Sequence, residues 1–449
     1  MIKTKAGLFS IFFFLCHCIE VFGFTGPADF IITLKRSFRD SGSFEKLRKD
    51  YLLTPKYEKA LHGMMPVRVP LGLGHSTARQ LLESDRRIAH VEPDYLVHAQ
   101  EMPNDPLFDK QWSLYNPAND RTDVNAVEAW KIHNGDGGIV IAILDTGIDY
   151  YHPDLADNLW ENPGEAPSNG RDDDGNGFID DVRGWDFSGN TNDPMDRHFH
   201  GTMMAGVAGA VTDNNIGIAG MMPKVSLMPV KGLSDRGSGN SSDLIAAIYY
   251  AVDNGADIIN ASWGGGGFLF AMQEAIEYAA DRNVIFVAAA GNYRRDNDER
   301  PFYPASYPSD NIVSVGASTR QDSIASFSHV GKESVDLFAP GVDIISTFLN
   351  GGYMANNGTS LSAPLVAGCL GLLASISPEA TYQSYLKVLF SQVKKLPHMR
   401  KYCVSGGRLD AHALLRKRGT LFKTVETSKH YRSILYVLTQ ILKKEEGGR

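Results

Sequence analysis

Short apolar runs alternate with longer helix-like stretches across residues 120–415. The apolar runs are Ile139–Leu144, Val225–Val230, Ile258–Ala261, Val284–Ala290 and Ile312–Val315. Helical spacing of apolar residues is clearest over Ser242–Asn254 and Phe268–Arg282. Continuously apolar strands that alternate with helices are typical of a parallel sheet covered on both faces. This region is therefore predicted to be an α/β domain.

A different pattern precedes this domain. Strand candidates at Phe30–Leu34 and Ile88–Val97 flank a helix-like stretch at His75–Ser84, which predicts a small α+β unit over residues 24–103. Two prolines fall within Pro103–Pro106, and such a spacing breaks regular structure. We therefore place the boundary there and expect the larger domain to span residues 104–415.

Both ends of the chain carry signals of their own. Residues 1–23 combine a lysine-bearing start with an apolar stretch and small residues before Phe24, which predicts a secretory signal peptide and a secreted or secretory-lumen protein. A retained signal anchor is the alternative, because Glu20 and Phe22 blur the cleavage site. Residues 416–449 form an amphipathic tail that either packs on the protein's own core or contacts a partner or membrane.

Composition excludes several classes of protein. The 449 residues contain 44 Lys and Arg against 52 Asp and Glu, a net charge of −8, so no basic field attracts nucleic acid. A hydrophobic content of 43% excludes a mainly disordered chain. After residue 23 no apolar run approaches the roughly 18 residues of a membrane span, so no transmembrane anchor is expected. Signal cleavage leaves Cys369 and Cys403, as either one disulfide or two buried thiols.

Three short motifs carry candidate chemistry. Asp145 ends an apolar strand and is followed by Thr-Gly, His200 opens a small-residue helix, and Ser360 lies in a Gly-Thr-Ser turn before an apolar helix. Singly, each has an ordinary structural interpretation as a helix cap, a hydrogen bonder or a turn. Together they supply a nucleophile, a general base and a carboxylate that orients the base. We assign Ser360, His200 and Asp145 to these roles in that order.

These motifs resemble those of the subtilisin-like serine proteases, which share the order Asp, His, Ser. The resemblance covers residues 120–415 and implies a doubly wound, mainly parallel seven-stranded sheet and peptide-bond hydrolysis through an acyl-enzyme. The chain departs from the usual family pattern at Met203, where a second His is usual, and at Met204, Leu361 and Ser362. None of these changes removes a group that the mechanism needs.

Further positions match the family. Asn292, after three alanines and Gly291, resembles the family residue whose side-chain amide binds the oxyanion; the alternative is an Asn that tolerates a left-handed turn. Two segments resemble the edges that hold a peptide substrate as an additional strand. They are Gly237, Ser238 and Gly239, and Ser262, Trp263 and Gly264. Gly and Ser are also ordinary loop residues.

The small N-terminal unit resembles the family's inhibitory propeptide, whose closing strand occupies the substrate cleft. Val91–Tyr95 matches that strand, and autoprocessing is expected between Val97 and Asn104. The resemblance thus implies a zymogen with its own propeptide as intramolecular inhibitor. A permanent small domain is the alternative.

An acidic loop predicts a calcium site. Asp172, Asp174 and Asn176 occupy positions one, three and five of a calcium loop, but Arg183 stands where the closing Glu is expected, so Asp181 or its neighbour Asp180 must complete the shell. Subtilisin-like enzymes often bind calcium for stability. A solvated acidic loop is the alternative, and residues 213–218 resemble a second family calcium loop more weakly.

Three rival functions remain for comparison. A kexin-like proprotein-processing protease is expected to carry a β-sandwich after the catalytic domain, whereas about thirty-five residues follow here. A catalytically inactive peptide-binding homologue is expected to lack a triad or oxyanion residue, and none is lost. An α/β-hydrolase esterase requires Ser-Asp-His order and a Gly-x-Ser-x-Gly elbow, which the neighbours of Ser360 exclude. Residues 299–303 do not reveal the side chain that the primary pocket accepts.

Overall fold

A computed structural model describes residues 30–39, 41–57, 61–69, 75–94, 102–117 and 122–417. The chain divides into two compact units, residues 1–98 and residues 99–449, a few residues before the boundary expected from sequence. The signal peptide, the processing region before Met102 and the amphipathic tail after residue 417 lie outside the described residues. Among the described residues, no helix is both long and apolar enough to cross a membrane.

The first unit is an antiparallel sheet with two helices. Its strands are β1 (Phe30–Leu34), β2 (Thr54–Pro55), β3 (Met64–Arg68) and β4 (Ile88–Pro93), in the order β2-β3-β1-β4. Its helices are α1 (Ser41–Tyr51) and α2 (His75–Glu83), with a short 3₁₀ turn at Arg36–Phe38. Alternate residues of β1 point into the core, where they join Leu47 and Leu82. This is the α+β arrangement that the pattern predicts.

The second unit contains the remaining elements. Its strands are β5 (Gly135–Asp145), β6 (Trp185–Asp186), β7 (Lys224–Lys231), β8 (Ile258–Ala261), β9 (Ile285–Ala289), β10 (Ile312–Ser318), β11 (Leu337–Pro340), β12 (Ile344–Phe348), β13 (Gly352–Asn356), β14 (Lys394–Lys395) and β15 (Gly407–Arg408). Its helices are α3 (Ala126–Trp130), α4 (His200–Gly209), α5 (Ser241–Asp253), α6 (Phe270–Asp281), α7 (Thr359–Ser375), α8 (Tyr382–Gln392) and α9 (Ala411–Arg416), with 3₁₀ turns at Phe108–Lys110, Ala156–Asn158 and Pro397–Met399.

The main sheet runs in the order β14-β15-β11-β10-β9-β8-β5-β7-β6, and every pair is parallel except β14 with β15. It has nine strands where the resemblance implied seven. Three of the nine, β6, β14 and β15, are strands of two residues each at the two ends of the sheet, too short to give an apolar pattern, and six longer strands lie between them. β12 and β13 form a separate antiparallel hairpin.

Helices cover both faces of this sheet, as a doubly wound fold requires. Ile141 and Ile143 of β5 pack in the core beneath α4 and α7, whereas Ala142 and Leu144 pack in the core beneath α5 and α6. Successive strand residues point to opposite faces, so a continuously apolar strand serves two cores. Polar residues then follow where the parallel strands end, and the carboxyl ends of β5, β8 and β9 lie side by side.

Candidate active site

Asp145 and His200 form a direct pair at the end of β5. The Asp145 side chain is fully buried, and its Oδ1 accepts hydrogen bonds from the Thr146 N–H at 2.8 Å and from His200 Nδ1 at 2.7 Å. Because Nδ1 donates to the carboxylate, Nε2 of the neutral ring is left to accept a proton. Burial lowers the pKa of His200. The charge of Asp145 and the hydrogen bond to it together outweigh this effect, so the pKa of His200 lies above its ordinary value.

The start of α4 is held tightly against β5. A Cβ on Gly201 would lie 2.0 Å from the Gly147 carbonyl oxygen, so only glycine permits this approach. Buried Asp196, which the sequence analysis missed, accepts hydrogen bonds from the Thr146 hydroxyl at 2.9 Å and from the N–H and hydroxyl of Thr202 at 2.9 and 2.7 Å. Asp196 therefore joins the residue after Asp145 to the helix that carries His200. An aspartate just before a predicted helix start was the available signal.

Ser360 is the second residue of α7 and faces Ser262. Its hydroxyl donates to the Ser262 carbonyl oxygen at 3.1 Å, and the Ser262 hydroxyl donates to the Ser360 carbonyl oxygen at 2.8 Å. Among the described residues Ser360 makes no hydrogen bond to His200. Catalytic hydrogen bonds are often long or poorly aligned before substrate binds, so the hydroxyl of this candidate nucleophile lies in a resting orientation.

Asn292 and the backbone of Ser360 face one small space. The Asn292 Oδ1 accepts hydrogen bonds from the N–H and hydroxyl of Thr359, both at 2.9 Å, which leaves its Nδ2 as the free donor. A Cβ on Gly358 would lie 3.4 Å from Asn292 Nδ2, 3.6 Å from the Ser360 nitrogen and 3.8 Å from the Ser360 Oγ. The absent side chain of Gly358 thus leaves room where two donors and the candidate nucleophile converge, an arrangement that an oxyanion site requires.

The two candidate substrate edges follow β7 and β8. Gly237, Ser238 and Gly239 are exposed. The turn that contains them is closed by a hydrogen bond of 2.8 Å from the Ser234 N–H to the Ser238 carbonyl oxygen. On the other segment, the Trp263 indole N–H donates to the Leu144 carbonyl oxygen at 2.9 Å. That bond holds residues 262–264 next to Leu144, the residue that precedes Asp145.

The positions that depart from the family pattern are core positions. Met203, Met204, Leu361 and Ser362 are all buried, and the Ser362 hydroxyl donates to the Ala339 carbonyl oxygen at 3.0 Å. They contribute packing around α4 and α7 and do not displace the polar groups of the candidate triad.

Comparisons with known proteins decide the family. The model of the Subtilase family matches residues 136–402, well over half of the chain. The chain belongs to the subtilase family. It is thereby classed with the subtilisin-like serine endopeptidases, as its motifs predicted.

Relatives and solved structures agree with this assignment. The chain is 40% identical to a thermophilic serine proteinase of Bacillus sp. (strain AK1), over 66% of this chain and 65% of that protein, just under two thirds of the relative's length. It is 39% identical to thermitase of Thermoactinomyces vulgaris, over 61% of this chain and 85% of thermitase. The structure of a protease from Pseudoalteromonas arctica matches with a TM-score of 0.60 at 28% identity, over 71% of this chain and all of that one.

The acidic loop of this subtilase brings three carboxylates together. Ligand oxygens of Glu165, Asp172 and Asp174 all lie within 4.8 Å of one another. Two oxygens that each lie about 2.4 Å from one calcium ion can be at most about 4.8 Å apart, so this donor set fits calcium. Glu165 was missed by the sequence analysis because it precedes the loop motif by several residues.

The other two predicted ligands have different partners. Asp181 is fully buried, and its carboxylate accepts hydrogen bonds from Asn162 at 3.0 Å, from Asn176 at 3.1 Å and from the Tyr250 hydroxyl at 2.6 Å. Asp181 lies outside the group of three carboxylates and ties the loop to α5. Asn176 directs its amide nitrogen to Asp174 and Asp181.

The weaker second loop also lies beside acidic groups. Asp105 accepts a hydrogen bond from the Asp213 N–H at 3.1 Å, and Asp154 accepts from the Asn214 side chain at 2.8 Å and the Ile218 N–H at 2.9 Å. Burial is the main cause that raises the pKa of Asp105 to about 6; the charges of Asp154 and Asp213 act in the same direction, and hydrogen bonds from the Asp213 and Asn214 N–H groups oppose them. The structure therefore collects negative charge at this loop.

Neither of the two cysteines within the described ranges forms a disulfide. Cys369 and Cys403 are free, buried thiols that belong to different parts of the core. The sequence left open one disulfide or two buried thiols, and the structure has two buried thiols. Burial raises the pKa of both thiols.

Proposed function

We propose that this subtilase hydrolyses peptide bonds through an acyl-enzyme on Ser360. The observation that carries the proposal is the hydrogen bond from His200 Nδ1 to the buried Asp145 carboxylate, which leaves Nε2 free as a base. The Ser360 hydroxyl turns from the Ser262 carbonyl towards His200, transfers its proton to Nε2 and forms a C–O bond with the substrate carbonyl. Asn292 Nδ2 and the Ser360 N–H stabilise the oxyanion. The protonated His200 then gives its proton to the leaving amine as the C–N bond breaks.

Water completes the cycle by the same steps. His200 accepts a proton from water, the hydroxide oxygen attacks the acyl carbon, and the Ser360 oxygen leaves with the proton. The substrate is a protein or peptide bound as an extended strand between residues 237–239 and 262–264, where main-chain hydrogen bonds give affinity.

Maturation and location follow from the same proposal. Residues 1–23 direct the chain into the secretory pathway, and residues 24–103 act as a propeptide that inhibits the enzyme until it is removed. The antiparallel sheet of residues 30–93 supports a separate unit for this role. Parallel sheets of high contact order fold slowly, which gives a removable folding template a physical use.

Calcium is proposed as a structural ion. Glu165, Asp172 and Asp174 would hold it, and the ion would neutralise three carboxylates that otherwise repel one another. It supplies stability to the loop between Glu165 and Asp181 and takes no part in bond cleavage.

A fluorophosphonate probe tests the activated serine. The secreted wild-type protein, Ser360→Ala and Ser362→Ala are labelled and compared on a gel. Ser362 is a matched control because it lies two residues away but is buried and bound to Ala339. Labelling of wild type and Ser362→Ala, absent in Ser360→Ala, is expected. A shortened, folded wild-type chain that takes no label would overturn the protease proposal and favour a binding function for the cleft.

A further inference from the structure

Two buried polar side chains lie behind the turn that carries Asn292. The backbone N–H of His329 donates to the Gly291 carbonyl oxygen at 2.9 Å, and Asn297 Nδ2 donates to the Ala290 carbonyl oxygen at 3.0 Å. The exposed fractions of the His329 and Asn297 side chains are 0% and 1%. Two successive carbonyl groups before Asn292 are therefore held by residues that the mechanism does not use.

The hydrogen-bond pattern fixes the state of His329. Because the Asn297 nitrogen faces a carbonyl, its Oδ1 must accept, and it lies 2.8 Å from His329 Nδ1. Nδ1 therefore carries the proton. Nε2 is buried and has no hydrogen-bond partner among the described residues. Burial lowers the pKa of His329, and the positive charge of Arg295 lowers it further, so the ring stays neutral.

The ring lies directly against Gly291. Gly291 has φ of 117°, and a Cβ there would lie 2.4 Å from His329 Nδ1. On the opposite side, the Gly291 N–H donates to the Thr359 hydroxyl at 3.1 Å, and that hydroxyl in turn donates to Asn292 Oδ1 at 2.9 Å. Gly291 is thus held between the His329 ring and the residue that precedes Ser360.

We propose that His329 and Asn297 are positioning residues for the oxyanion donor, acting on Asn292 through the Ala290–Gly291 backbone. The inference rests on the proposed function, since it assumes that Asn292 stabilises the oxyanion. A donor contributes to catalysis only when it already points at the developing charge. A rigid support behind the turn supplies that direction without touching substrate.

A double-mutant cycle separates positioning from general destabilisation. His329→Leu removes the donor of the hydrogen bond from Nδ1 to Asn297. Asn297→Ala removes the acceptor of the same bond and changes the volume of the pocket around the His329 ring less. Each is measured alone and with Asn292→Ala, using a chromogenic peptide anilide and enzyme secreted from the full chain. His329→Asn, whose amide N–H replaces the Nδ1–H, is the conservative rescue.

Loss of one oxyanion donor lowers kcat by about 100- to 1,000-fold, and misplacement of the donor is expected to lower kcat about tenfold or more with KM unchanged. His329→Asn should restore most of this loss, and neither support variant should lower kcat further once Asn292 is alanine. A full additional loss in the Asn292→Ala background, or a rise in KM alone, would overturn the proposal. Wild-type hydrolysis that does not depend on Ser360 would overturn this proposal and the proposed function together.

Discussion

At the scale of single residues, each candidate reacting group is held by hydrogen bonds to residues far away in the chain. The sequence makes Asp145, His200 and Ser360 candidates because each residue type carries chemistry that few others can supply. Asp196 binds the Thr146 hydroxyl and His329 binds the Gly291 carbonyl oxygen, and only folding brings these partners together. The resting hydrogen bond between Ser360 and Ser262 likewise depends on a contact between segments 98 residues apart.

The pH dependence should report the raised pKa of His200. Only the neutral ring accepts the serine proton, so kcat/KM should fall as pH drops through that pKa, with a midpoint above the ordinary value of 6.5. Asp145→Asn removes the charge that raises the pKa, so its midpoint should move to lower pH while kcat falls about 10,000-fold. Rates measured from pH 5 to 9 check both effects. A wild-type midpoint below that of Asp145→Asn would contradict the electrostatic role of Asp145.

Asp196 should matter for both stability and rate. Asp196→Ala leaves the buried N–H and hydroxyl groups of Thr202 without an acceptor, and each such loss costs about 1–3 kcal/mol. We expect a lower midpoint of thermal unfolding and a lower kcat, because α4 also carries His200. Asp193→Ala is the control, since Asp193 lies three residues away and its side chain is 42% exposed, so that the loss of its surface partners Tyr150 and Arg197 costs less. Equal unfolding midpoints for the two variants would show that Asp196 does not hold the helix.

At the scale of elements, long strands could be predicted from the sequence and short strands could not. β5, β7 and β10 are long and apolar, so their positions were predicted to within a few residues at each end. The two-residue strands β6, β14 and β15 have no periodicity to detect. The acidic loop was predicted from the spacing of its residues. The conformation of the chain brings Glu165 next to Asp172 and Asp174, which the spacing does not reveal. Asp181 accepts a hydrogen bond from Tyr250 and lies outside that group.

Calcium should stabilise the wild type more than a variant of this loop. A ligand present at about 100 times its Kd adds about 2.7 kcal/mol to the free energy of unfolding. Thermal unfolding is measured in excess calcium and in chelator for wild type, Glu165→Gln and the exposed control Glu161→Gln. The difference between the two conditions should shrink in Glu165→Gln only. An unchanged calcium response in that variant would remove Glu165 from the site.

At the scale of the whole molecule, two units of different architecture share one chain. The antiparallel unit and the nine-stranded unit have separate cores. The change of pattern near Met102 was visible in the sequence because prolines interrupt it there. The propeptide role that we propose for the first unit rests on the chemistry of processing, which no pattern of apolar residues encodes.

Processing should depend on the nucleophile. If the enzyme removes its own propeptide, Ser360→Ala should accumulate with residues 24–103 attached, whereas wild type should begin between Val97 and Asn104. Intact mass and N-terminal sequencing of the secreted chains distinguish the two. Shortening of purified Ser360→Ala in the absence of other proteases would exclude self-processing.

The free thiols of Cys369 and Cys403 bear on the redox conditions under which the protein stays folded. Cys369 and Cys403 are enclosed by side chains rather than joined to each other, so the described part of the chain contains no covalent cross-link. The stability of this part does not depend on the redox potential of its surroundings, and reductants that open disulfide-bonded proteins would leave its core intact. Such an enzyme could digest disulfide-rich substrates under the very conditions that unfold them.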